Sequence, residues 1–213
     1  MRCRPALAKI ERRRPPVGYR RASAYTLGVG IYVGNKLKYS ATEFELFPDD
    51  GNRHEVIDGD HYVSPPPNTY HQTVSRRVQF DLYRQIELAD RGVVFNAPTG
   101  VELSETDIVQ PDLILVGAYH KHIVAPKRII GIPDLIVEIL SPSNPRHDTD
   151  LKRSTYERTG VPEYWIVDPE KHTVEQLVSG DDRRYREAGT FSESITLAVD
   201  CFAGITVDLT KVW

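Results

Sequence analysis

Apolar and polar positions fall into a regular order only from about residue 36 onward. The run Ser40-Ala41-Thr42-Glu43-Phe44-Glu45-Leu46 predicts a short helix capped by Ser40, because a serine hydroxyl can accept a free N–H at a helix start. Residues 54–63 alternate apolar and polar side chains around Asp58-Gly59, which predicts a hairpin. After the proline run, Val74, Val78, Leu82 and Ile86 recur every fourth residue, the spacing of one buried helix face. This long helix is expected to end before Arg91-Gly92. Strands are expected at 93–96, 100–103, 112–116 and 134–140, the last two nearly all apolar, as strands covered on both faces are. A helix over 148–159, stopped by Gly160 and Pro162, and strands at 163–168, 173–178 and 183–187 complete the order. The pattern predicts an α/β or α+β single domain over residues 36–213, built around one mixed sheet.

Residues 1–35 break this pattern. They are rich in arginine and paired prolines and show no periodicity. They read as a disordered extension, or as translation begun upstream of the true start. A nucleic-acid-binding arm or an Arg-rich transit peptide is the functional alternative. Residues 1–40 hold ten Lys/Arg against one acid, Glu11, so the rest of the chain carries −12 of a total of −3. An acidic body argues against a broad duplex-binding surface, yet leaves room for carboxylates that hold a cation.

A length of 213 residues with 40% hydrophobic content suits one core of ordinary size. No uninterrupted apolar run is long enough to span a bilayer, and the N-terminus has no apolar signal region, so no membrane partner is expected. Cys3 and Cys201 lie near opposite ends and form neither a disulfide framework nor a zinc pair, which fits a reducing, cytoplasmic setting.

The chemistry concentrates in a few acids and one lysine. Glu138 sits inside the apolar run 135–140, where a carboxylate loses several kcal/mol of solvation unless paired or bound to a cation. The alternative is an edge position facing water, or a structural pair with an arginine. Asp112 follows Pro111 and opens an apolar strand. Two such carboxylates on neighbouring strands can share Mg2+, which prefers hard oxygen ligands and leaves places for water and phosphate. That is the arrangement phosphodiester hydrolysis needs. Asp134 is a decoy. It also follows a proline, but four residues of strand separate it from Glu138 by roughly 13 Å, too far to share one ion. In the predicted helix, Asp148, Lys152 and Tyr156 fall on one face. A solvated surface charge is the plain reading of Lys152. Beside two metal-binding acids its ammonium can hold the attacking water and offset charge on the phosphorane. Asp148 either pairs with Lys152 or supports the helix start.

The runs VQPDLILV, GIPDLIVEILSPSN and DTDLKRSTYERTGVPEYWIVDP, together with HEVIDGDHYVSPPPNTYHQ at 54–72, resemble the Uma-type "putative restriction endonuclease" family of the PD-(D/E)xK nuclease superfamily. The resemblance covers roughly residues 37–210. It implies a restriction-endonuclease-like core, a mixed sheet flanked by helices, and a Mg2+-dependent (or Mn2+-dependent) endonuclease acting on DNA. By that resemblance Asp112 is the Pro-Asp acid and Glu138 the (D/E) position. The chain departs from the plain pattern two residues later, where Leu140 stands in place of lysine, and the lysine comes instead from the helix as Lys152. Glu55 matches an additional acid near the metal, so that Asp112, Glu138 and Glu55 form the implied metal set. His71 matches a position that contacts the phosphate or shuttles a proton. For Glu55 a surface strand position, and for His71 a satisfied helix-start ring, remain the plain alternatives. The resemblance also implies a homodimer.

Competing classes are separable. A non-catalytic nucleic-acid- or protein-binding module would keep the fold and bind no metal. An oxidoreductase is disfavoured: Lys152 and Tyr156 stand in the reverse order of a Tyr-x-x-x-Lys pair, and no Gly-x-Gly-x-x-Gly follows a first strand. Tyr156 is expected to pack rather than react, and His120-Lys121-His122 to lie solvated in a loop.

Overall fold

The computed structural model describes residues 20–21, 31–33, 36–141 and 146–213, with backbone alone for 20–21, 31–33, 36 and 146–148. In chain order the first elements are β1 (Arg20–Arg21), β2 (Ile31–Val33), β3 (Lys36–Lys38), α1 (Ala41–Phe44), β4 (Arg53–Ile57), β5 (Asp60–Ser64) and α2 (Thr69–Ile86). Next come β6 (Gly92–Asn96), β7 (Val101–Ser104), β8 (Asp107–Val109), β9 (Leu113–Gly117), β10 (Ile129–Ile130), β11 (Leu135–Ile139) and α3 (Arg146–Thr159). The chain ends with β12 (Glu163–Asp168), β13 (Thr173–Ser179), β14 (Tyr185–Ser192), β15 (Thr196–Ala198) and β16 (Thr206–Asp208). The reading of residues 1–35 as an irregular extension falls mostly outside the described residues.

Local chemistry explains the element ends. Ser40 caps α1 in a reciprocal box with Glu43. Asn68 caps α2 by accepting from the His71 N–H. The turn between β4 and β5 places Asp58 at φ 49° and Gly59 at φ 71°, the left-handed pair that suits strand twist.

One mixed sheet was expected; two six-stranded sheets are found. The first runs β1-β5-β4-β8-β7-β10 and the second β14-β13-β12-β11-β9-β6. Pro111, between β8 and β9, cannot donate to a ladder, and the chain passes from one sheet to the other there. In the second sheet β11 runs parallel to β12 and antiparallel to β9. Both faces of these central strands are covered. Leu113, Leu115, Leu135 and Val137 pack toward α2 and the β15–β16 ribbon. Ile114, Val116 and Ile136 pack on the other face with Tyr156 of α3. No described helix is long and apolar enough to cross a membrane.

Candidate active site

Strand parity sets the site. Leu113 pairs with Val137 in the antiparallel ladder, so Asp112 and Glu138 stand one step further on, opposite each other. Both carry the parity of Ile114 and Ile136, the face toward α3. The two acids therefore meet at the end of the second sheet, where β4 of the first sheet brings in Arg53 and Glu55.

Six ionisable groups and a tyrosine interlock there. One Asp112 oxygen lies 2.9 Å from the Arg53 guanidinium. The other lies 3.1 Å from His71 Nε2 and accepts the Ile139 N–H at 2.8 Å. Lys152 Nζ lies 2.8 Å from Glu138 Oε1 and 3.0 Å from Glu55 Oε1. Tyr156 donates its hydroxyl to the same Glu138 oxygen at 2.6 Å, and Glu55 Oε1 accepts the Gln110 N–H at 2.7 Å. Glu55, His71, Asp112, Glu138 and Lys152 are all buried.

These surroundings drive the acids apart. Burial alone would raise the Asp112 carboxyl, but the His71 hydrogen bond, the Arg53 guanidinium and the Ile139 N–H hold it well below the usual carboxylate range. Burial pushes Glu138 up; Lys152 opposes this, while the charges of Asp112 and Glu55 push the same way, and the net direction is upward. Lys152 is lowered by burial, yet Glu138 and Glu55 more than compensate, so it stays an ammonium. Tyr156 is pushed well up by burial and by the Glu138 charge, and remains a neutral donor. His71 Nε2 faces two acceptors, the Asp112 carboxylate and the Ile139 carbonyl at 3.0 Å, so the ring proton belongs on Nε2. Its Nδ1 is buried with no hydrogen-bond partner among the described residues.

A cleft of about 430 Å3 opens on Arg53, His71 and Asp112 and continues along α2 past Thr73, Arg76 and Gln79. Among the described residues no three His, Cys, Asp or Glu side chains converge as a ready-made cation cage. The donor set nonetheless fits a hard divalent cation. Among the described residues three carboxylates, Glu55, Asp112 and Glu138, stand with two protein cations, Lys152 and Arg53, and offer hard oxygen donors.

All five residues singled out from the sequence come together. Asp134 is set apart, as the spacing argument requires: it anchors the far end of β9 through the Gly117 N–H at 2.7 Å and His120 Nδ1 at 2.9 Å. The His120–His122 segment is an exposed 3-10 turn within Ala118–Ile123, not an irregular loop, and His120 is paired with Asp134 rather than only solvated. The pairing suggested for Asp148 lies outside the described side chains. Tyr156 packs fully buried, and its hydroxyl also enters the site, which the sequence reading missed. Arg53 was missed as well. An arginine after Gly-Asn reads as surface charge, and its partner lies far along the chain.

The family model described as "Uma2: Putative restriction endonuclease" matches residues 41–210. Among solved structures, a crystal structure titled a putative nuclease belonging to DUF820, from Anabaena variabilis, has a TM-score of 0.67 with this chain at 18% identity. The match covers 82% of this chain and 99% of that one, and shows a shared fold. No protein of curated function matches the chain. With the family model spanning most of its length, the chain belongs to the Uma2 family of "putative restriction endonucleases".

Proposed function

We propose that the chain is a Mg2+-dependent endonuclease that hydrolyses phosphodiester bonds of DNA at the Asp112–Glu138–Lys152 cluster. The observation that carries this reading is the convergence of three buried carboxylates, Glu55, Asp112 and Glu138, with Lys152 at one sheet end, beside an open polar cleft. Asp112, Glu138 and Glu55 would hold the metal, and Mn2+ suits the same oxygens. Bound there, the ion supplies Lewis-acid neutralisation of the phosphodiester charge. Asp112, held low, stays a permanent carboxylate, and Arg53 and His71 fix its orientation. Glu138, which already takes hydrogen bonds from Lys152 and Tyr156, would accept the proton of the attacking water. As the water oxygen bonds to phosphorus, its proton passes to the Glu138 carboxylate, the bond to the leaving oxygen breaks, and that oxygen takes a proton from solvent. Lys152 remains charged, so it steadies the water and the developing negative charge instead of acting as a base. Family membership and the nuclease named in the structural neighbour's title support this reading. A homodimer and a cytoplasmic setting belong to the same reading.

A second reading, a binding module that has lost catalysis, has one observation in its favour: the Lys152 ammonium is already ion-paired with both Glu55 and Glu138, at the place a cation would take. Titration calorimetry with Mg2+ and Mn2+ separates the two. Binding that Asp112→Ala and Glu138→Ala abolish supports the enzyme; absence of any metal binding supports the module. Single-stranded, double-stranded and branched DNA that all stay intact with either metal would sink the nuclease reading.

A further inference from the structure

Two grooves meet on helix α2. The first is the active-site cleft, along which Thr69, Gln72, Thr73, Arg76 and Gln79 follow one helical stripe. The second, of about 510 Å3, is lined by Arg76, Arg77, Phe80, Arg84 and Lys211 with Asp81. Arg76 borders both. It is exposed, and among the described residues it makes no hydrogen bond or ion pair. The neighbouring cations are committed: Arg77 to the carbonyls of Val212 and Trp213, Arg84 to Asp81, Lys211 to Asp208, and Arg53 to Asp112. Phe80, 64% exposed, stands among these charges without a place in the core.

An open cation beside a solvent-facing ring is the composition of surfaces that take a single nucleic-acid strand: the guanidinium binds phosphate and the ring stacks a base. A second copy paired through this same face fits poorly, since it would bring Arg76, Arg77 and Arg84 toward like charges. We propose that the substrate strand flanking the cut phosphodiester crosses Arg76, which binds its phosphate, and lies single-stranded in the second groove with a base on Phe80. This rests on the nuclease reading and specifies the form of its substrate.

The test is fluorescence anisotropy of a labelled DNA oligonucleotide and of its duplex against the full chain in Mg2+-free buffer, across a salt series. The wild type is expected to bind the single strand more tightly. Arg76→Ala should lower the slope of log affinity against log salt by about 0.7, one phosphate contact on a single strand. Phe80→Ala should weaken single-strand binding roughly fivefold to a hundredfold and leave the slope in place. Lys127→Ala, an exposed lysine paired with Glu45, serves as the control and should change neither. Preference for the duplex, an effect of one variant without the other, or dissociation of a dimer by Phe80→Ala with DNA binding intact each overturns the proposal. Cleavage of the same oligonucleotide with added Mg2+ tests the nuclease reading separately. A chain that cuts but ignores Arg76 and Phe80 loses this inference alone, whereas one that neither binds nor cuts loses both.

Discussion

Lys152 reaches 14 residues back along the chain to place its ammonium 2.8 Å from a carboxylate oxygen of Glu138. The strand itself has Leu140 where a lysine would stand two residues after the acid. The helix supplies the charge the strand lacks, and the same ammonium is also paired with Glu55.

Removing that charge should be costly. Lys152→Met leaves Glu55 and Glu138 buried together without their cation, and a broken buried pair costs roughly 3–5 kcal/mol. Glu138 already sits above its ordinary value, and loss of Lys152 raises it further. A carboxyl raised in the fold binds protons more readily folded than unfolded, so the variant's deficit should shrink as pH falls and Glu138 protonates. Urea denaturation at neutral and mildly acid pH checks this. A deficit that does not change with pH counts against the electrostatic origin.

Tyr156 tests the same oxygen by a neutral route. Its hydroxyl donates to Glu138 at 2.6 Å from a fully buried position. Tyr156→Phe keeps the ring and its packing on Tyr164, but removes a hydrogen bond to a charged group, at roughly 1.5–3 kcal/mol. The acid limb of the cleavage rate should also move to higher pH, because Glu138 loses a donor that favours its anion. An unchanged pH profile with full stability would show that the bond contributes nothing.

A second pH response lies outside the site. His61 is stacked on Phe47 and shares a 2.9 Å contact with His54, itself bonded to Asp50. Burial, and then the His54 charge against the pull of Asp50, lower His61 from 6.5 to about 4. The fold therefore holds a neutral ring that the unfolded chain protonates first. The stability it contributes is complete above about pH 6.5 and is lost as pH falls from there toward 4. His61→Gln should flatten the pH dependence of stability in that window. Melting curves that fall as steeply with acid in the variant would remove His61 as the cause.

Much of this was legible along the chain. Val74, Val78, Leu82 and Ile86 are all essentially inaccessible to water, as their four-residue spacing demands. Asp58-Gly59 makes the predicted turn, and the near-continuous apolar runs of β9 and β11 are indeed covered on both faces. What escaped had weak local signals. Three-residue β8 is too short to show alternation, so the first sheet, which depends on it, merged with the second in the reading. Strand β14 is mostly exposed and polar, and its true extent, Tyr185–Ser192, carries no apolar rhythm. In the site the acids announced themselves because carboxylates are out of place in apolar strands. Arg53 and the Tyr156 hydroxyl did not, since each looks ordinary until its distant partner is known.

The most direct measurement is cleavage of labelled DNA by the purified chain with and without Mg2+, alongside Asp112→Asn and Glu138→Gln at matched folding by circular dichroism. The account predicts metal-dependent cutting by the wild type, stopped by chelator and reduced by at least about a hundredfold in each variant. Cutting that persists undiminished in both variants, or none by the wild type with either Mg2+ or Mn2+, would contradict it.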